Sequence, residues 1–190
     1  MCEQCLAAFP IAAPAKQSFA VALFDYQNQT VKKAIWKFKY GNIRNLAKNF
    51  SDKLYDEMIE DLSEHLYTMK NQTFLLVPIP LHPERARERG YNQSELIVRE
   101  LMKKDLNNLF EFSPQSLLRI RKTKPQAKSD KRAVRLKNLE GAFRASPQIV
   151  RGRDIIIIDD VVTTGATLTE ARKALLAGDA RSVRAYVIAH

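Results

Sequence analysis

The sequence predicts an α/β protein built on a mainly parallel, twisted sheet with helices on both faces. Two observations predict it. Apolar segments of strand length alternate along the chain with segments whose apolar residues repeat every three to four positions, the order that βαβ crossovers require. One segment, Ile155-Ile156-Ile157-Ile158, is apolar at every position, as a strand covered on both faces must be.

Element by element, Phe19–Tyr26 suits a strand, and Gln27-Asn28-Gln29 reads as a turn. Thr30 is placed to cap a short helix whose apolar face is Val31, Ile35 and Phe38. A longer helix is predicted from about Ile43, with Leu46, Phe50, Leu54, Met58, Leu62 and Leu66 on one stripe; these residues and Trp36 are the candidate core. Phe74–Ile79 reads as a buried strand, followed by a Pro-rich turn and a helix over about Gln93–Lys104, with Asn92 and Glu95 spaced as a capping pair. Ser116–Ile120 is a further apolar segment. The strand 154–158, a helix over 168–177 stopped by Gly178, and the strand 182–188 complete the pattern.

The composition narrows the class. Of 190 residues, 45% are hydrophobic and 27% charged, a globular balance that excludes wholesale disorder, and no apolar run reaches the roughly 18–20 residues needed to span a bilayer. The start of the chain carries Glu3 and no basic leader before Leu6–Ala15, so it does not read as a signal peptide, and the cytoplasm is the expected compartment. The net charge is +10, and nine cations fall between Arg119 and Lys137 against Asp130 alone. That one segment makes the chain basic, and reads either as a solvated loop or as a loop that meets an anion. Cys2 and Cys5 form a C-x-x-C, two ligands where a tetrahedral zinc site needs four. The pair reads as half of a zinc ribbon or as two incidental thiols, so Zn2+ binding would require ligands beyond this chain. Residues 1–17 are set apart as this cysteine motif and a Pro- and Ala-containing linker, and residues 18–190 as the main domain.

The chemistry concentrates where the isoleucine strand ends. Asp159 and Asp160 stand at the carboxyl end of a central strand, the edge at which ligands bind in open α/β sheets. Two adjacent recessed acids need hydroxyls, cations or water to satisfy them. Val162, Thr163, Thr164, Gly165, Ala166 and Thr167 follow, a Thr/Gly loop entering a helix whose unpaired N–H groups and dipole suit a phosphate. Thr167 and Glu170 match a T-x-x-E capping box that would start the helix near Leu168. The loop is neither a Walker P-loop nor a dinucleotide turn. Acids for sugar hydroxyls, then a nest for a phosphate, describe a ribose 5-phosphate site.

This segment resembles the phosphoribosyl pyrophosphate (PRPP) motif of type I phosphoribosyltransferases. Further segments are similar to the competence protein F (ComF-type) family: Lys37-Phe38-Lys39-Tyr40-Gly41; Val77-Pro78-Ile79-Pro80 with Arg89-Gly90-Tyr91-Asn92-Gln93; and Arg121-x-Thr123-x-x-Gln126 with Arg132, Asn138 and Gly141-Ala142-Phe143. The resemblance implies a type I phosphoribosyltransferase-like, Rossmann-like sheet in which residues 159–160 and 162–167 bind PRPP with Mg2+. In that family a cysteine-rich zinc finger precedes the domain, and this chain departs from the pattern in having one C-x-x-C. Arg85, Arg87 and Arg89, with Gly90, are suited to the pyrophosphate by charge and forked geometry, the alternative for the first two being an exposed helix entry. The basic stretch, with Arg121, Lys124, Gln126 and Arg132, resembles the mobile loop that closes over PRPP. No catalytic residue stands out, since no His or Cys falls in these motifs. The family resemblance further implies a link to DNA uptake in natural competence, with single-stranded DNA and competence proteins as partners, and a homodimer by analogy with type I enzymes. The rival readings to a transferase are a non-catalytic DNA-uptake factor and a PRPP-sensing regulator.

Overall fold

The computed structural model of the protein describes residues 6–15, 17–41, 43–68, 72–121 and 139–190. Its centre is a five-stranded sheet formed by β1 (Ala20–Phe24), β2 (Phe74–Pro78), β3 (Phe110–Phe112), β6 (Asp154–Val161) and β7 (Ser182–Ala189), in the order β1-β7-β6-β2-β3. Every adjacent pair is parallel. The fully apolar strand is therefore central, with Ile155 to Ile158 registered on Leu75 to Pro78 on one side and on Val183 to Tyr186 on the other. A separate antiparallel ribbon pairs β4 (Leu117–Arg119) with β5 (Phe143–Ala145).

Alternation along β6 divides the core in two. Ile156 and Ile158 face a cluster fed by α1 (Gln29–Tyr40), α2 (Leu46–Thr68) and α4 (Gln93–Lys104), through Ile35, Phe38, Phe50, Leu54, Met58, Ile97 and Leu101. Ile155 and Ile157 face α6 (Ala166–Ala177) through Leu168, Ala171 and Leu175, together with Leu117 and Phe143 of the ribbon. Two short helices, α3 (Pro83–Arg89) and α5 (Pro147–Val150), complete the described elements. No helix among the described residues is long and apolar enough to cross a membrane.

Several local expectations are revised. The cap of α1 is Asn28, whose Oδ1 accepts the N–H groups of Thr30 and Val31 at 2.9 and 3.2 Å, so Thr30 already lies inside the helix. Trp36 is 60% exposed rather than core, because one residue past Ile35 the helix has turned 100° from its buried stripe. The long helix starts at Leu46, since Leu46 and Ala47 bond to the carbonyls of Ile43 and Arg44 in a tight turn that leaves Ile43 exposed. Asn92 caps α4 as expected, accepting from Ser94 N–H at 3.1 Å, but Glu95 pairs with Arg99 at 2.7 Å instead of reaching back. Helix α6 begins at Ala166 with Gly165 as its cap, so Thr167 is a helical residue and the T-x-x-E box does not form. Its Glu170 pairs with Lys173 at 2.7 Å and accepts the N–H of Gly141 at 3.3 Å. Phe9, read from the sequence as the start of a linker, is buried edge-on against Phe24 at 5.2 Å, and Leu6 joins the same cluster.

Candidate ribose phosphate site

Asp159 and Asp160 lie in the last three residues of β6, at the carboxyl edge of the sheet. The satisfaction that two adjacent acids demand comes from two helices. Lys39, near the end of α1, places Nζ 2.9 Å from Asp160 Oδ1, and both side chains are largely buried. Ser94, in the first turn of α4, donates its hydroxyl to Asp159 Oδ1 at 3.0 Å, and the Asp160 N–H donates to the same oxygen at 2.9 Å. Burial and the neighbouring charge of Asp160 still outweigh these bonds and Lys39, pushing the Asp159 carboxyl up to about 7. Burial works against the charge on Lys39, but attraction and hydrogen bonding to Asp160, helped by Asp159, win and raise its pKa. The arrangement is an ammonium locked onto one acid and a second acid that titrates near neutrality.

The loop after the acids carries the second half of the site. Val162 is buried and anchors it, while Thr163 is exposed at its tip. Thr164 Oγ1 accepts the Ala166 N–H at 3.4 Å, and Gly165 takes the left-handed conformation at φ 76°. The Gln17 carboxamide passes over Gly165, with Nε2 at 3.3 Å from the Thr164 carbonyl, and a Cβ at position 165 would lie 1.6 Å from that nitrogen. The left-handed backbone favours glycine at this corner, and any Cβ would displace the end of the Gln17 side chain. Thr167 is half-buried in the first turn of α6.

The arginines divide. Arg85, in α3, lies close enough to Arg119 of β4 to oppose its charge; burial first, then Arg85, lowers the Arg119 pKa, and Asp159 counteracts them. Arg119 therefore lies within the field of Asp159, with Arg85 beside it. Arg89 stacks on Tyr40 at 4.9 Å, donates to the Tyr40 hydroxyl at 3.0 Å and to Gln93 Oε1 at 3.1 Å. Gly90, left-handed at φ 74°, turns the chain from α3 towards α4. Arg87 is exposed and stays on its own helix, which fits the helix-entry alternative. Arg121 is exposed and bonds the Glu140 carbonyl at 2.9 Å. Lys124, Gln126, Arg132, Cys2 and Cys5 lie outside the described residues. Among the described residues no three His, Cys, Asp or Glu side chains gather as a metal site. Lys39 and Ser94 were not singled out as site residues from the sequence; Lys39 stood in the Lys37–Gly41 segment, a run of lysines whose spacing gave no hint of which one turns inward.

The chain is similar to several known proteins. Residues 93–190 match the phosphoribosyl transferase domain model. The competence protein ComFC of Bacillus subtilis is 32% identical over 165 residues, 85% of this chain and 60% of that protein. The DNA utilization protein YhgH of Escherichia coli K12 is 35% identical over 113 residues, 60% of this chain and 48% of that protein. The chain thus spans about half to three fifths of the length of these relatives. Among solved structures, the glutamine PRPP amidotransferase of B. subtilis aligns over 80% of this chain and 30% of its own, at 13% identity and a TM-score of 0.46. The matched model takes in the acid pair, the loop and the helix it enters, and with relatives of the competence type over most of its length the chain belongs to the phosphoribosyl transferase domain family, in its ComF-type branch.

Proposed function

We propose that the protein binds PRPP, or a related ribose 5-phosphate, at the carboxyl edge of β6 and serves DNA uptake. The observation that carries this reading is the recessed acid pair, held by Lys39 and Ser94, opening directly into the glycine-cornered loop at the start of α6. The carboxylates accept the ribose hydroxyls, the loop and first-turn N–H groups hold the 5-phosphate, and Arg85 and Arg119 face the pyrophosphate. Asp160 is already paired with Lys39, and Mg2+, where it accompanied the pyrophosphate, would supply charge neutralisation there. In a transferase step a nitrogen nucleophile displaces pyrophosphate at the anomeric carbon, a reaction that depends on positioning and charge stabilisation. The competence role is carried over from the relatives named ComFC.

Calorimetric titration with PRPP and Mg2+ tests the reading. Each charged hydroxyl contact contributes about 1.5–3 kcal/mol, so Asp159→Asn is expected to weaken binding about 10- to 100-fold, and the Asp159→Asn/Asp160→Asn double variant to abolish it. A folded Asp159→Asn protein with unchanged affinity would refute the assignment.

A second ligand, single-stranded DNA, is favoured by one observation. Trp36 and Tyr40 stand exposed on α1, 5.9 Å apart, with Arg89 stacked on Tyr40, an aromatic and cationic ledge of the kind on which bases stack. Binding of an oligothymidylate is expected to fall steeply with salt and to weaken about tenfold in Trp36→Ala, measured by fluorescence anisotropy. A flat salt response would leave the small-molecule site as the sole function.

A further inference from the structure

At the amino edge of the sheet, the starts of β1 and β7 and the helices α2 and α6 enclose a cleft of about 480 Å3. Three guanidinium groups line it, from Arg172, Arg181 and Arg184, against a single lining carboxylate, Asp61. Two of the three are braced. Arg181 Nε donates to Asp154 at 3.0 Å, and Arg184 reaches Asp61 at 3.3 Å and His65 Nε2 at 3.1 Å. Asp61 also accepts the hydroxyl of Tyr186, so its charge is already engaged. Arg172 differs. Its guanidinium lies over the ring of Phe19 at 4.9 Å, and its buried Nε meets no acceptor among the described residues.

We propose that this cleft is a second anion site, which takes the phosphate monoester of a ligand of mononucleotide size, with Arg172 as its fixed donor. A planar guanidinium stacked on Phe19 holds a fixed orientation from which its terminal Nη groups can give two parallel hydrogen bonds to a phosphate. Asp154 and Asp61 offset Arg181 and Arg184, which leaves the charge of Arg172 for an anion to meet, and the volume falls within the range of small-molecule pockets. The position is separate from the acid pair. Arg184 is registered on Ile156, whereas Asp159 is registered on Val187, three residues or about 10 Å along the sheet. The inference is independent of the ribose phosphate reading.

The test is a titration of the labelled protein with AMP, followed by amide shifts in 1H–15N spectra. The expected result is a saturable response at Phe19, Arg172, Val183 and Arg184, competed by inorganic phosphate and not reproduced by adenosine. Arg172→Gln is expected to weaken it at least tenfold, and Arg172→Lys by less, while shifts produced by ribose 5-phosphate at Thr163–Thr167 stay as in the parent. Because Arg172 Nε makes no hydrogen bond among the described residues, both variants are expected to keep the fold, with spectral changes in the absence of ligand confined to the neighbourhood of Phe19. No response at these amides, a response confined to Thr163–Thr167, an equal response to adenosine, or unchanged affinity in Arg172→Gln would each overturn the proposal.

Discussion

Replacing Lys39 with Met is expected to destabilise the protein by about 3 kcal/mol at pH 8 and by much less at pH 5. The ammonium is the cation bonded to Asp160 at 2.9 Å, and it also offsets the charge of Asp159. Removing one member of a recessed ion pair strands the other, a larger loss than the pair itself contributes. The pH dependence follows from the acids. Without Lys39, which lowers it, the folded-state pKa of Asp159 rises further above that of the unfolded chain. Such a group favours the native state fully below the unfolded value near 4, and the advantage disappears as pH climbs through the folded value. The deficit is therefore smallest in acid and largest in base. For a domain of this size, about 3 kcal/mol corresponds to roughly 6–12 °C in thermal midpoint. Melts of parent and variant at the two pH values decide the matter, and an equal deficit at both would disconnect Lys39 from the acid pair.

Asp159→Asn is expected to act in the opposite direction, raising stability at pH 8 by about 1–2 kcal/mol and leaving it unchanged at pH 4. In the parent, burial and Asp160 push Asp159 up to about 7, so between about pH 4 and 7 the native state holds a proton that the unfolded chain has released. Stability falls as pH rises through that window. The amide carries no charge to desolvate, and it preserves the geometry, because Ser94 and the Asp160 N–H both donate to Oδ1, which Asn retains. The full difference of about 3 pH between folded and unfolded values would correspond to about 4 kcal/mol, and the half-buried position of the residue reduces it. Chemical denaturation at pH 8 and pH 4 gives the readout; a variant less stable than the parent at pH 8 would show that the ionised form is well accommodated. Paired with the loss of PRPP binding expected for the same substitution, a gain in stability would mark Asp159 as a residue whose charge serves the ligand rather than the fold.

The strongest sequence signals were those tied to burial on two faces. Four consecutive isoleucines followed by two acids specify a central strand and a polar end, and the structure places Asp159 and Asp160 there. The edge was less legible. β3 is three residues long, with one of its three side chains buried, so Phe110-Glu111-Phe112 carries too little alternation to stand out. Pattern matches at helix starts misled where a neighbouring residue offered a better solution. Gly165 turns the chain into α6 one residue before Ala166, which pulls Thr167 inside the helix and frees Glu170 for Lys173 and Gly141. Asn28 displaced Thr30 by the same competition, its longer side chain reaching two N–H groups at once. Of the site, the half contiguous in sequence was readable. Lys39, Ser94, Gln17 and Arg119 belong to it through contacts across 65 to 147 residues or through charge alone, and no local spacing reports such a contact.

The order of strands also sets a timetable. β1 precedes the other strands of the five-stranded sheet in the chain, yet its parallel neighbour is β7, the last of the five, and β7 lies between it and β6. At synthesis rates of about 5–20 residues per second, β1 waits on the order of ten seconds for its partner to emerge. Helix α1 follows β1 directly in the chain, so Lys39 is brought within reach of Asp160 only once β7 has slotted into the gap. The acid pair leaves the ribosome before β7 does, and the ligand site becomes electrostatically whole only when β7 joins β1 to β6.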